Sequence, residues 1–176
     1  MPNRERRASF TESFAVLAAL AVLFTLAKVR HFRGGGEDRA RVWFYDQSAK
    51  RLYPVPRGLI PPDGNDDTKV RAMVIGFQGM GNDINQLKIA YLEKYSSEFK
   101  ALLERAEAAH AAGRPFGEKV PSQNSAYFKD NFFVKLPGEA SWHAVGTGEA
   151  RQIMAGWHEW HGPAGQRPII SVPSNQ

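Results

Sequence analysis

The sequence predicts an α+β fold: an N-terminal transmembrane helix followed by a small antiparallel or mixed sheet packed against an amphipathic helix. Three observations carry this prediction. Residues 13–27 (SFAVLAALAVLFTLA) hold no charge, and Glu12 and Lys28 bound them. Short segments rich in Val, Tyr, Phe and Trp (RVWFY, RLYPV, VRAMVI) lie between clusters of Pro, Gly and Asp, the pattern of strands separated by turns. From Ile84 onward, apolar residues recur three and four apart, the spacing of one helix face.

Taken in order, residues 1–12 read as a polar tail and residues 13–30 as a membrane anchor. Fifteen apolar residues make a helix of about 22 Å, short of a hydrocarbon core of about 30 Å. Phe10, Thr11 and Val29 extend the apolar cylinder, and Lys28 and Arg30 snorkel at its rim. A removable signal peptide is the competing reading, since Arg4, Arg6 and Arg7 form a basic leader region before the apolar run. A short basic tail before an anchor favours export of the downstream chain, so the C-terminal domain is expected on the extracytoplasmic side. Residues 31–40, with Gly34, Gly35 and Gly36, form a flexible hinge.

Residues 41–156 form the expected α+β domain. RVWFY and RLYPV read as two strands joined by a polar turn that starts at Asp46, and Pro54 places the second strand at an edge, because proline donates nothing to a ladder. Residues 56–68 are loop, and VRAMVI at 70–75 is the best buried strand. Ile84, Leu87, Tyr91, Tyr95, Phe99, Leu102 and Ala106 then mark a helix spanning 84–112, with a second start at Ser96 that kinks or splits it. Gly113 and Pro115 end it. Residues 114–130 read as polar loop. A hairpin runs from Phe132 to Val145 around Pro137 and Gly138, and Thr147 caps a short helix that Gly156 stops. Residues 157–176 read as an aromatic, Pro- and Gly-rich tail, with a strand at 169–172.

The succession RVWFYD, KRLYPV, KVRAMVIGF, IAYLEKYSSEFKALLERA and SWHAV resembles a group of small bacterial single-pass membrane-anchored proteins without an assigned function. The resemblance covers most of residues 41–155 and implies an anchored α+β domain.

Composition narrows the functional classes. The chain has 176 residues and a net charge of +5, but residues 1–41 hold eight Lys and Arg against four Asp and Glu, and residues 42–176 hold fifteen against fourteen. The basic excess belongs to the flanks of the apolar run, where anionic lipid is the natural counterpart, so no nucleic-acid partner is expected. Without cysteine there are no disulfides, thiolate zinc sites, iron–sulfur clusters or Cys nucleophiles.

Four constellations are candidate sites. Gly76, Gly79 and Gly81 come after a strand and precede the expected helix, an arrangement that brings backbone amides to a phosphate; the order is G-x-x-G-x-G, neither a dinucleotide fingerprint nor a P-loop. His158 and His161 are three apart and offer two imidazoles to a metal, although HExxH is absent; structural histidines beside packing tryptophans are the plainer reading. Trp157 and Trp160, in a proline-rich tail, and Trp43 are expected to bind a protein partner, unless the tail folds back and buries them. No Ser, His and Asp sit in a recognisable catalytic context, so no catalytic residue and no cofactor is assigned. The expected role is a non-enzymatic accessory or scaffold subunit in contact with the lipid bilayer and a membrane-protein complex. The alternative is a membrane-tethered ligand-binding or enzymatic domain using the glycine loop.

Overall fold

The computed structural model describes residues 40–64, 67–79 and 84–173. The expected polar tail, anchor and all of the hinge before residue 40 lie outside these residues. Among the described residues, no helix is long and apolar enough to cross a membrane.

The domain is α+β, with helices packed on an antiparallel sheet. Its seven strands among the described residues are β1 (Arg41–Asp46), β2 (Arg51–Pro56), β3 (Lys69–Phe77), β4 (Lys88–Tyr95), β5 (Phe132–Lys135), β6 (His143–Ala144) and β7 (Pro168–Ile170). They are ordered β2-β1-β3-β4-β5-β6, and β7 pairs with β3. All the pairings are antiparallel. Three α-helices come after β4 in the chain: α1 (Ser97–Ala111), α2 (Ala126–Asn131) and α3 (Gly148–Gly156).

Local chemistry explains most of these elements. The β1–β2 turn is built on Asp46, whose Oδ1 accepts from the backbone N–H of Ser48 at 3.0 Å and of Ala49 at 2.9 Å. The Ser48 hydroxyl, a third donor to the same oxygen, is the main reason the Asp46 carboxyl lies below the ordinary carboxylate range. Pro54 lies on β2, at one end of the sheet order, where its missing N–H is harmless. Each α-helix starts at a hydroxyl cap that accepts from the amide three residues on: Ser96 from Phe99, Ser125 from Phe128 and Thr147 from Ala150. The three donating residues are themselves buried, so each cap also sets an anchor of the core. At the other end of α1, Arg114 N–H donates to the Ala109 carbonyl and Gly113 N–H to that of His110, with Gly113 at φ +64°, the left-handed closure that glycine allows.

The expected helix over 84–95 is corrected. Only a single 3-10 turn, Ile84–Gln86, precedes β4, and helix begins at Ser97. The three-and-four spacing through Tyr91 and Tyr95 is a coincidence of a strand whose Tyr91, Glu93 and Tyr95 share one face. A strand puts the Glu93 carboxylate inside the core, which is tolerable only because Arg71 stands directly opposite it on β3. The loop expected over 114–130 also needs correction, since it contains α2; a six-residue helix is too short to show periodicity, and the Ser125 cap is its only local signal. Residues 157–173 are not an appendage: Trp157 is 8% exposed within the main core, and β7 extends the sheet.

The sheet has two unlike faces. One carries Ile75, Tyr91, Phe132 and Val134 against Phe99 and Leu102 of α1, Phe128 of α2 and Ala150 of α3. Tyr95, Phe99, Phe128 and Phe132 meet there ring to ring, with Phe99 and Phe128 edge-on at 5.8 Å. The other face gathers Val70, Ala72, Val74 and Leu92 beneath half-buried Trp43, Tyr45, Leu52, Leu87, Ile89 and Trp142. Between Met73 and Val74 the register with β4 shifts, leaving Ala90 as an extra residue; the bulge lets Ala90 and Tyr91 both join the helix-covered core.

Within that core, the Arg71 guanidinium donates to the Glu93 carboxylate and shares a hydrogen bond with Tyr95. Glu93→Gln should destabilise the domain by about 3 kcal/mol, because it leaves a buried guanidinium without its counter-charge. Chemical denaturation checks this, and replacing both partners by apolar residues should recover most of the loss. Burial, then the Glu93 charge, pushes the Tyr91 hydroxyl up, and burial does the same for Tyr95. Both groups are neutral when protonated, so the stability they confer is complete below the free tyrosine value near pH 10 and is lost as pH rises above it. Ultraviolet titration of phenolate should therefore show their ionisation coinciding with alkaline unfolding.

Candidate functional site

The α-helix that the glycine-loop reading requires is replaced by a 3-10 turn and a strand over residues 84–95. Gly76 lies inside β3, paired with Ile169 of β7, and Gly79 lies just past the strand at φ +85° in a left-handed turn. Gly81 lies outside the described residues. The next described elements are the 3-10 turn and β4, so the loop does not open onto the α-helix on which the phosphate reading rested.

The three tryptophans separate. Trp157 is buried in the core, Trp160 is half-buried against that same core, and Trp43 is half-buried on the opposite face of the sheet. Trp157 is therefore a packing residue, as folding back of the tail requires. Trp43 instead stands in the apolar group of the second face, where Trp142 is its missed counterpart. In the sequence Trp142 is one aromatic among many, with nothing local to give it a role. Only the fold marks it, through the lysine pair around it: Lys94 and Lys135 each place Nζ 4.9 Å from the Trp142 ring centre. Burial and the nearby Lys94 charge lower the Lys135 pKa, and its ammonium donates to the Glu139 carbonyl at 2.9 Å.

Next to Trp142 lies a groove of about 700 Å³ between the end of β4 and α1. Its charged walls are satisfied internally. Lys94 is paired with Asp67, while Lys100 reaches Glu104 at 3.4 Å and donates to the Gly64 carbonyl at 2.5 Å. The groove thus offers a shaped surface with its charges already neutralised.

A second cavity, about 300 Å³, brings together residues singled out from sequence: His158, His161 and Trp160, with Arg167 and Pro168 along its wall. The 3-10 turn Trp157–Glu159 continues α3 and carries His158, whose ring stacks on the buried Trp157 indole at 3.7 Å. Beyond it, Gly162 N–H donates to the Gln166 carbonyl at 2.9 Å and Gln78 N–H to the Arg167 carbonyl at 3.2 Å, tying the turn to the end of β3. Arg167 was missed because only this turn brings it back beside the histidines. Among the described residues no three His, Cys, Asp or Glu side chains converge as metal ligands, so the two histidines stand without a third donor of that kind.

No protein-family model matches the chain, and searches of curated proteins and of solved structures find no match.

The turn depends on Gly162. A Cβ there would lie 2.4 Å from Gln166 Oε1 and 3.0 Å from the Phe77 ring, and Phe77 is a core residue with little room to move. Gly162→Ala should destabilise the domain by about 1–3 kcal/mol through overpacking. Thermal unfolding measures the loss, and Gly117→Ala, where a Cβ meets nothing within 4 Å, is the control.

Proposed function

We propose that this protein is a membrane-tethered accessory subunit that acts through protein–protein contact, with the second face of the sheet as its contact surface. The observation that carries the reading is the composition of that face. Trp43, Tyr45, Leu52, Leu87, Ile89 and Trp142 lie around Val70, Val74 and Leu92, and all of them come from strands or loops. Among the described residues no helix contributes a side chain to this cluster, whereas all three helices serve the other face. An antiparallel sheet that turns one face to water ordinarily makes it polar. Large aromatics on such a face suit a partner instead, because they bury area at little entropic cost and dominate contact energies.

The uncharged run at residues 13–27 supplies the tether, and the basic residues beside it favour an anionic lipid surface. The first strand of the domain begins at Arg41, so a short stretch of chain links the contact face to that run and limits how far it can search for a partner.

Full-length protein should sediment with membranes and, after extraction in mild detergent, migrate as an assembly larger than a monomer. Leu52→Lys on edge strand β2 should shrink that assembly to the monomer while the melting temperature changes by only a few degrees, about what a half-buried surface site costs. Recovery of the full-length chain in the aqueous fraction, or as a lone monomer in detergent, would overturn the proposal.

A further inference from the structure

We infer that the cavity between the turn Trp157–Glu159 and the start of β7 binds an oxyanion, the phosphate or carboxylate group of a small ligand. It shares no residue with the proposed contact face.

The lining is one-sided in its chemistry. His158, His161, Arg167 and Trp160 all carry N–H donors on their side chains, Pro168 brings an apolar ring, and among the described residues no carboxylate lines the cavity. The Arg167 guanidinium enters no ion pair with an acidic side chain among the described residues. An exposed guanidinium beside two imidazoles is a planar donor fork whose geometry matches the paired oxygens of carboxylate and phosphate. The same guanidinium argues against a metal. Two imidazoles alone are an incomplete ligand set, and a permanent positive charge on the third wall repels a divalent cation.

The backbone that carries these donors is fixed before any ligand arrives, and so is the His158 ring. His158 lies on the ring of Trp157, which is locked in the core, with planes 29° apart. The Trp160 backbone N–H donates to the Trp157 carbonyl at 3.1 Å, and Gly165 N–H, at φ +74°, donates to the Gly162 carbonyl at 2.9 Å. Gln166 Oε1 accepts from Ala164 N–H at 3.1 Å, which closes the turn that leads to Arg167. The neighbouring strand β7 is fastened to β3 through Ile75 and Ile170. A fixed backbone reduces the freedom lost on binding, so a small anion suffices to engage the donors. The volume, about 300 Å³, suits a small molecule or a headgroup and is too small for a folded partner.

The test uses full-length chain with isotope-labelled histidine in mild detergent, titrated with inorganic phosphate against chloride at equal ionic strength. Phosphate should shift the imidazole signals of His158 and His161 along a saturable curve and leave those of His110 and His143 in place. Arg167→Gln, a surface change that should keep the melting temperature, is expected to weaken this binding about tenfold or more, the loss of a charge-assisted fork. The same labelled chain in nanodiscs then separates the sources of the anion. Shifts caused by phosphatidylglycerol relative to phosphatidylcholine identify a lipid headgroup, and shifts caused by inorganic phosphate in neutral discs identify a free anion; either supports the site. Signals that stay still in both arms, unchanged affinity in folded Arg167→Gln, or zinc binding at the two histidines more tightly than phosphate would overturn it. None of these readouts depends on a partner protein, so a failure here leaves the contact-face proposal standing, and the reverse also holds.

Discussion

The structure depends on one ion pair placed where charges are least welcome, Arg71 on β3 against Glu93 on β4, both largely buried beneath the helices. Removing two charges from water is costly, and their attraction offsets that cost only when geometry and further hydrogen bonds are favourable. Here the register aligns them directly across the ladder, and the Tyr95 hydroxyl adds a neutral partner to Arg71. A slip of one residue would turn Glu93 toward the other face and strand the guanidinium in the core. The pair therefore acts on specificity: among the pairings open to β3 and β4, it penalises all but one.

That register then sets the rest. With Glu93 fixed, Tyr91 and Tyr95 point to the helix side and Leu92 to the opposite side, which separates the two clusters of the sheet. Tyr95 becomes the floor on which Phe99, Phe128 and Phe132 assemble, and the three hydroxyl caps deliver their helices to that floor. The two faces divide the labour. One uses its aromatics for internal packing, and the other keeps Trp43 and Trp142 half-buried.

The candidate cavity shows how far local reading reaches. His158, Trp160 and His161 are neighbours in sequence, and their closeness needed no fold to reveal it. Arg167 is separated from them by a glycine- and proline-rich turn whose path is set by Gly162 against Phe77, a contact between residues 85 positions apart in the chain. Two histidines taken alone suggest a metal, whereas a guanidinium beside them suits an anion better. Trp157 behaves in the opposite way. Its place in a proline-rich segment suggests exposure, but the segment folds back and makes it core.

By itself the sequence determined the elements whose causes are local. Asp46 orders its turn and Ser96 and Thr147 open helices through bonds spanning two or three residues, Pro54 marks an edge by its missing N–H, and the hairpin around Gly138 closes between strands adjacent in the chain. The apolar run before residue 28 is equally legible, since length and absence of charge are one-dimensional properties. Only the tertiary structure decided that residues 88–95 are a strand, that Trp157 is interior and that Arg167 joins the histidines. Those outcomes turn on partners distant in the chain: an inward carboxylate is tolerated only opposite Arg71, and a spacing of three and four favours a helix only until a neighbouring strand offers its ladder of hydrogen bonds.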